Sequence, residues 1–218
     1  MIKKFLKSTL TCFGLVLFSL FCVTTVNAQT VSAQDFIMKL SEDLLTEIKT
    51  NKDLLAGDFT KLKEVADKKV LPYVNMNKLT ASAVGRPWRD ATPAQKKQLI
   101  EEFQILLMRT YSGAMHKAKD AKVVVLPSRQ KESSTDKVLV RTSVTNPGAE
   151  AINVDYRVEK NEDTWSIYDV SVLGVWLSES YKNSFAVEIQ KTGIDGLIAQ
   201  LKEKNNQVGA LVKGEKKK

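Results

Sequence analysis

Cysteine and histidine are almost missing: the 218 residues carry two cysteines, Cys12 and Cys22, and one histidine, His116. Both cysteines fall in an N-terminal segment read below as a removed leader, so the rest of the chain has no thiol, disulfide or cysteine metal ligand. A zinc site would then need carboxylates for most of its ligands, and nucleophilic hydrolysis finds a single imidazole to serve as base. His116 lies among Met115, Lys117 and Lys119 at the end of a long helical pattern, where a charged imidazole gains from the helix dipole with no catalytic task. Glycine and proline are sparse, ten and five, and the chain has neither a glycine-rich phosphate loop nor a dinucleotide fingerprint. Acidic excess is lacking too, with 25 Asp and Glu against 33 Lys and Arg. The lysines are scattered among acids instead of alternating with aromatics, which argues against a nucleic-acid face.

The longest apolar run comes first. Lys3, Lys4 and Lys7 precede an apolar core from about Phe13 to Val23, and Val26, Asn27, Ala28 end in a small residue. That order predicts a signal peptide, residues 1–28, cleaved after Ala28; a membrane anchor is the alternative, but the core falls short of the ~20 residues a span needs. Leu20 and Phe21 are too bulky for a lipid-attachment site at Cys22, so a free protein is expected, and export without disulfides is compatible with a bacterial periplasm. Residues 29–212 have the length of one domain with a substantial core. Residues 213–218, with Lys213, Lys216, Lys217 and Lys218, form a basic tail that either touches an anionic partner or is simply solvated.

Periodicity orders the remainder into helices, strands, then helices. Ser32 predicts the cap of a first helix with Phe36, Ile37, Leu40, Leu44, Leu45 and Ile48 on one face. Asp58 caps a second that Pro72 ends, and a third runs from Met76 to Val84 and stops at Gly85. Thr92, Pro93 and Gln95 form the strongest start signal, a cap, a first-turn proline and a capping-box partner, for a long helix to about Lys117. Four strands follow, near 122–126, 137–145, 151–159 and 164–173, with connections too short for parallel crossovers. In the fourth the apolar phase slips, Trp165 and Ile167 on one side and Val170 and Val172 on the other, which means burial of both faces or a bulge. Val175, Trp176 and Leu177 then lead into two C-terminal helices. The reading is an α+β domain: a four-stranded curved antiparallel sheet covered by N- and C-terminal helices, resembling the cone of nuclear-transport-factor-like (NTF2-like) folds.

Cone-shaped folds host acid/base chemistry on cavity carboxylates, which makes Asp155 and Asp169 the enzyme candidates. Asp155 shares the polar side of its strand with Arg157; Asp169, in phase with Trp165 and Ile167, points inward as an acid/base or serves as a structural hydrogen-bond acceptor. A second alternative is a protein-docking module with a filled core.

Two sequence blocks narrow this choice. Val84, Gly85, Trp88, Arg89, Ala91, Thr92 and Gln95 form the first; Trp165, Tyr168, Asp169, Val170, Gly174, Val175, Tyr181 and Phe185, continued by Gly193 to Ile198, form the second. Together they resemble the signatures of the MlaC, or toluene-tolerance Ttg2, family. The chain departs at Trp176, where that family has serine, and at Lys182, where it has arginine. The resemblance implies a periplasmic phospholipid carrier, not an enzyme and without cofactor. Its expected partners are a diacyl phospholipid, an outer-membrane lipoprotein complex, and an inner-membrane ABC transporter complex with its MCE-domain protein. The lipid-contacting residues expected on this reading are Val84, Trp88, Phe103, Leu107, Tyr111, Val140, Val154, Tyr156, Val170, Val172, Val175 and Tyr181. Alternation sorts the strand members into one-face sets and leaves open which face holds lipid. Arg86 and Arg89 lie either near a phosphate or in pairs with helix carboxylates.

Overall fold

The computed structural model describes residues 31–128, 136–162 and 164–215. The expected leader with both cysteines, Asp163 and Lys216 to Lys218 lie outside the described residues, as do the side chains of His116 and Lys213.

Local capping chemistry sets the helix starts. Helix α1 (Ala33–Thr50) begins where the Ser32 hydroxyl accepts from the Asp35 amide, and α3 (Phe59–Lys69) where Asp58 accepts from the amides of Thr60 and Lys61. Between them Asn51 caps a single turn, α2 (Lys52–Leu55), that periodicity does not reveal. Pro72 sits in a 3-10 turn, Leu71–Tyr73, and α4 (Met76–Val84) ends at Gly85 as expected. A second 3-10 turn, Arg86–Arg89, leads to α5 (Pro93–Lys117). There the capping box closes in both directions: the Gln95 amide donates to Thr92 Oγ1 at 3.2 Å, and the Thr92 amide donates to Gln95 Oε1 at 3.0 Å.

The sheet is a meander of five antiparallel strands, not four: β1 (Lys122–Val125), β2 (Lys137–Thr145), β3 (Ile152–Asn161), β4 (Thr164–Val172) and β5 (Val175–Trp176). The fifth corrects the expectation that Val175 and Trp176 open a helix. They pair with Val172 and Ser171 instead, across a two-residue turn in which Leu173 (φ +53°) and Gly174 (φ +83°) are both left-handed. Two positive φ values in succession match the twist of a tight hairpin. Glycine adopts them freely; Leu173, two-thirds exposed, does so at a cost of about 1–2 kcal/mol.

The phase slip in β4 is a bulge. Arg157 pairs with Asp169 and Val158 with Ile167, so Tyr168 has no partner across the ladder. Cross-strand partners share a face, and the extra residue therefore returns Trp165, Ile167, Val170 and Val172 to one side, with Val158, Tyr156 and Val154 of β3 and Val138, Val140 and Thr142 of β2. Asp169 is thrown to the other side. This corrects its expected phase with Trp165 and Ile167.

The chain closes with α6 (Leu177–Glu215), which is two helical limbs joined at Gly193 (φ +73°). The second limb lies along α5, held by Asn205 Nδ2 donating to Glu102 and by Gln95 Nε2 donating to Asp195 Oδ1 at 2.8 Å. Apolar residues of the described chain gather in three clusters. One joins α4, α5 and α6 around Phe103; one joins α1 to the sheet through Phe36, Ile37, Val158 and Ile167; the third ties the end of α1 to α2 and α3.

The turn between the two limbs has no room for a side chain at Gly196, where a Cβ would stand 1.8 Å from Thr192 Oγ1 and 2.2 Å from Thr192 Cβ. Rotating Thr192 does not relieve the second contact. Gly196→Ala is expected to destabilise by about 1–3 kcal/mol as an overpacked site, read as a lower urea midpoint; an unchanged midpoint would show that the limbs adjust freely.

Candidate functional site

The three clusters meet without filling the space between them. A cavity of about 330 Å³ remains, at the lower end of the about 300–1,000 Å³ usual for ligand pockets. Its helical wall is Ser41, Leu44, Leu45 and Ile48 of α1 with Tyr111 of α5 and Ala118 just beyond it; its sheet wall is Val123, Val144, Val154, Tyr156, Val170 and Val172, and Leu177 at the start of α6 closes one side. Only Ser41, Tyr111 and Tyr156 bring polar side-chain atoms. An interior of this kind holds hydrocarbon well and charge poorly.

Along the sheet, one end of the cavity is shut and the other open. Along β3, Val158 is fully buried, Tyr156 and Val154 are intermediate, and Ile152 is exposed; along α1, Ile37 is buried, Ser41, Leu44 and Leu45 are partly open, and Ile48 is buried again. Tyr111, on the helical wall, is 37% exposed. At the shut end the Tyr156 hydroxyl lies beside those of Ser41 and Thr142. Both neighbours spend their protons elsewhere, Ser41 Oγ on Ile37 O at 2.7 Å and Thr142 Oγ1 on Val154 O at 2.8 Å. Burial pushes the Tyr156 phenol above its ordinary value.

Asp169 occupies the opposite face of the sheet and is 2% exposed. Its Oδ1 accepts from the amides of Val170 and Ser178, and its Oδ2 accepts from Ser178 Oγ at 2.6 Å and Arg157 Nη1 at 3.0 Å. The carboxylate thus caps the first turn of α6 from a neighbouring strand while neutralising Arg157. Trp176 covers this pair, with the Arg157 guanidinium 3.7 Å above its ring. Neither Asp169 nor Trp176 lines the cavity. Among the described residues no group of three or more His, Cys, Asp or Glu is placed to hold a metal ion, and no helix is long and apolar enough to cross a membrane.

Residues 38–203 match the family model described as "MlaC protein". The chain belongs to the MlaC family. A relative of Pseudomonas putida, "Toluene tolerance protein ttg2D", is 25% identical over 182 residues, 83% of each chain. The "Intermembrane phospholipid transport system binding protein MlaC" of Haemophilus influenzae is 21% identical over 205 residues, 93% of this chain and 95% of that one. A solved structure of the phospholipid-binding protein from Ralstonia solanacearum, in complex with a phospholipid, superposes with a TM-score of 0.78 at 39% identity, covering 82% of this chain and 99% of that chain.

Of the twelve residues expected at an MlaC lipid site, the fold brings Tyr111, Val154, Tyr156, Val170 and Val172 together on the cavity wall. Val84 and Phe103 lie in the close-packed α4–α5–α6 cluster, with Trp88, Leu107 and Tyr181 packed on it; Phe103 meets the Tyr181 and Phe185 rings edge-on at 4.9 and 5.3 Å. Val140 belongs to the core beneath α1, and Val175 is 57% exposed on β5. Tyr181 also borders a larger, mixed-polarity cleft of about 690 Å³ between the limbs of α6, away from the sheet. Arg86 and Arg89 are exposed on the 3-10 turn and do not border the cavity. Sequence reasoning missed the α1 wall, although the adjacent pair Leu44 and Leu45 makes the apolar stripe wider than a single packed face requires.

Asp169→Ala is expected to cost about 2–4 kcal/mol, somewhat under the about 3–5 of a fully buried pair because Arg157 is a third exposed. Denaturant titration checks this, and a loss below about 0.5 kcal/mol would contradict the capping role. A second expectation concerns pH. The folded-state pKa of Tyr156 is raised, so its contribution is complete below the unfolded value of about 10 and is lost as pH climbs toward the folded value. Between about pH 9.5 and 11 the wild type should lose stability relative to Tyr156→Phe; parallel curves would show that the phenol is not held in a dry site.

Proposed function

We propose that this protein is a periplasmic carrier that binds a diacyl phospholipid and moves it between the outer and inner membranes, with its acyl tails entering the cavity between α1, α5 and the sheet. The observation that carries the reading is an apolar, partly open void in the interior of a fold whose 39%-identical structural neighbour was solved with a phospholipid. The names of the curated relatives, one of them an intermembrane phospholipid transport binding protein, support it. We read the sheet, with helices closed over it, as the cone of an NTF2-like architecture.

Energetics say why a carrier is needed. Two tails of on the order of 30 methylenes lose roughly 24 kcal/mol of shelter on entering water, so unaided escape from a bilayer is too rare to be useful. A carrier must match the bilayer along much of each tail. Aliphatic walls do this without chemistry, cofactor or metal, and they contribute little to head-group choice. Delivery at either membrane then falls to partners, an outer-membrane lipoprotein complex and an inner-membrane ABC transporter complex with its MCE-domain protein. The cavity-enzyme reading finds less support, since Asp169 is fully engaged on the far side of the sheet.

Native mass spectrometry of protein exported to a periplasm and purified without detergent tests the proposal. The expected spectrum shows about one diacyl phospholipid per chain, and Leu44→Glu, a charge on the cavity wall, should empty it while circular dichroism stays unchanged. A wild-type protein that is lipid-free and takes up none from vesicles would refute the carrier.

A further inference from the structure

At the open end of the cavity two neighbouring turns of the sheet carry apolar side chains into water. Val144 and Val172 line the cavity, and their cross-strand partners on the same face are Ile152, at the start of β3, and Val175, in β5. Ile152 is 37% and Val175 57% exposed, and Leu173, at the tip of the β4–β5 hairpin, is 67% exposed. The Leu173 amide donates to Asn153 O at 3.0 Å, which fastens the tip beside the start of β3. The three residues form an aliphatic rim continuous with the cavity wall. Charge is scarce along it: residues 145–153 and 171–178 contain one charged side chain, Glu150, in a chain of which 27% is charged. On the β1 side the exposed Lys122, paired with Thr145, adds a cation at this end of the sheet.

Leu173 is poorly placed for folding. Its left-handed backbone (φ +53°) suits glycine or asparagine, and its side chain, held in water, adds nothing to the core. A position unfavourable on both counts points to a surface that is used. The chemistry of the rim says by what. Protein hot spots favour tryptophan, tyrosine and arginine, with leucine and valine under-represented, and a specific protein interface takes about 800 Å² from each partner. A hairpin tip with three aliphatic side chains offers neither, whereas hydrocarbon accepts such a tip with no directional demand. Resting on the phospholipid reading above, we propose that Ile152, Leu173 and Val175 enter the hydrocarbon surface of a phospholipid bilayer, so that an acyl tail passes between bilayer and cavity without crossing water. Partners bring the carrier to a membrane; the rim makes the last contact. Three small aliphatic side chains hold weakly, as suits a carrier that must leave again.

Two readouts on the full mature protein test the rim. Leu173→Cys supplies the only thiol of residues 29–218 for a polarity-sensitive dye, with Lys160→Cys, exposed at the opposite end of the sheet, as its control. Mixed with vesicles of phosphatidylglycerol and phosphatidylethanolamine, the dye at position 173 should shift to the blue and be quenched by lipids brominated on their chains, and the dye at position 160 should do neither. The double variant Leu173→Asn, Val175→Thr removes aliphatic surface and relieves the backbone, so its urea midpoint should match or exceed the wild type. It should take up phospholipid from the vesicles about tenfold more slowly or worse, yet reach the same amount of lipid per chain by native mass spectrometry. Equal dye responses at the two positions, or a wild-type uptake rate in the double variant, would overturn the rim and leave the carrier standing. Protein that is loaded when isolated from a periplasm but exchanges nothing with vesicles would do the same and assign the rim to a protein partner; a dimer that the double variant dissolves would assign it to a second copy. A wild-type protein that is lipid-free and takes up none would overturn both.

Discussion

One unpaired residue in β4 decides which side of the sheet is greasy. Were Tyr168 paired like its neighbours in a regular strand, Trp165 and Ile167 would face the helices and Val170 and Val172 would turn away, or the reverse. Either choice strands two large apolar side chains in water, at about 1.5–3 kcal/mol each. The bulge removes the conflict and sends Asp169 to the far face, where it caps α6 and holds Arg157. It also lets the neighbouring chain approach: the Asn75 amide donates to Ile167 O at 2.7 Å, which fixes the start of α4 against the sheet. The position of three elements is tied to one inserted residue.

The hollow follows from how the helices are shared out. Each apolar cluster is complete in itself, with fully buried residues such as Phe103, Leu99, Ile37 and Leu197 filling its centre. Helix α1 belongs to two of them, to the sheet through Phe36 and Ile37 and to α2 and α3 through Ile48. Its middle, from Ser41 to Leu45, therefore bridges a gap that neither cluster fills. A solid interior would need larger side chains than Val123, Val144, Val154 and Val172 on the facing strands. Valine suits a strand and leaves room above it.

Much of this was legible locally. Ser32, Asp58, Thr92 and Gly85 mark helix ends through hydrogen-bonding and backbone chemistry that depends on a few adjacent residues, and the β2 limits follow from its alternation. The bulge was visible as a break of phase, but its consequence was not, because register against β3 is a property of two strands. The two residues of β5 are too few to show any period. The cavity was the least legible: alternation marks Val154, Tyr156, Val170 and Val172 as candidates equally with Val140, and only the height of α1 above the sheet separates wall from core. Phe103, Val84 and Trp88 carry the same apolar signal as the wall residues and lie in a filled region.

The departure at Trp176 shows how a substitution can matter without touching the cavity. Trp176 pairs with Ser171 on the face away from the cavity and lies flat against Arg157, which binds Asp169, which caps α6, whose first residue Leu177 is part of the cavity wall. A serine here would leave the guanidinium open to water and the ion pair more strongly screened. The indole lowers the local dielectric and keeps Arg157 over the strand, so each contact in the series is held more firmly. Its link to the cavity runs through Leu177: the β4–β5 hairpin and the start of α6 are tied together along one wall.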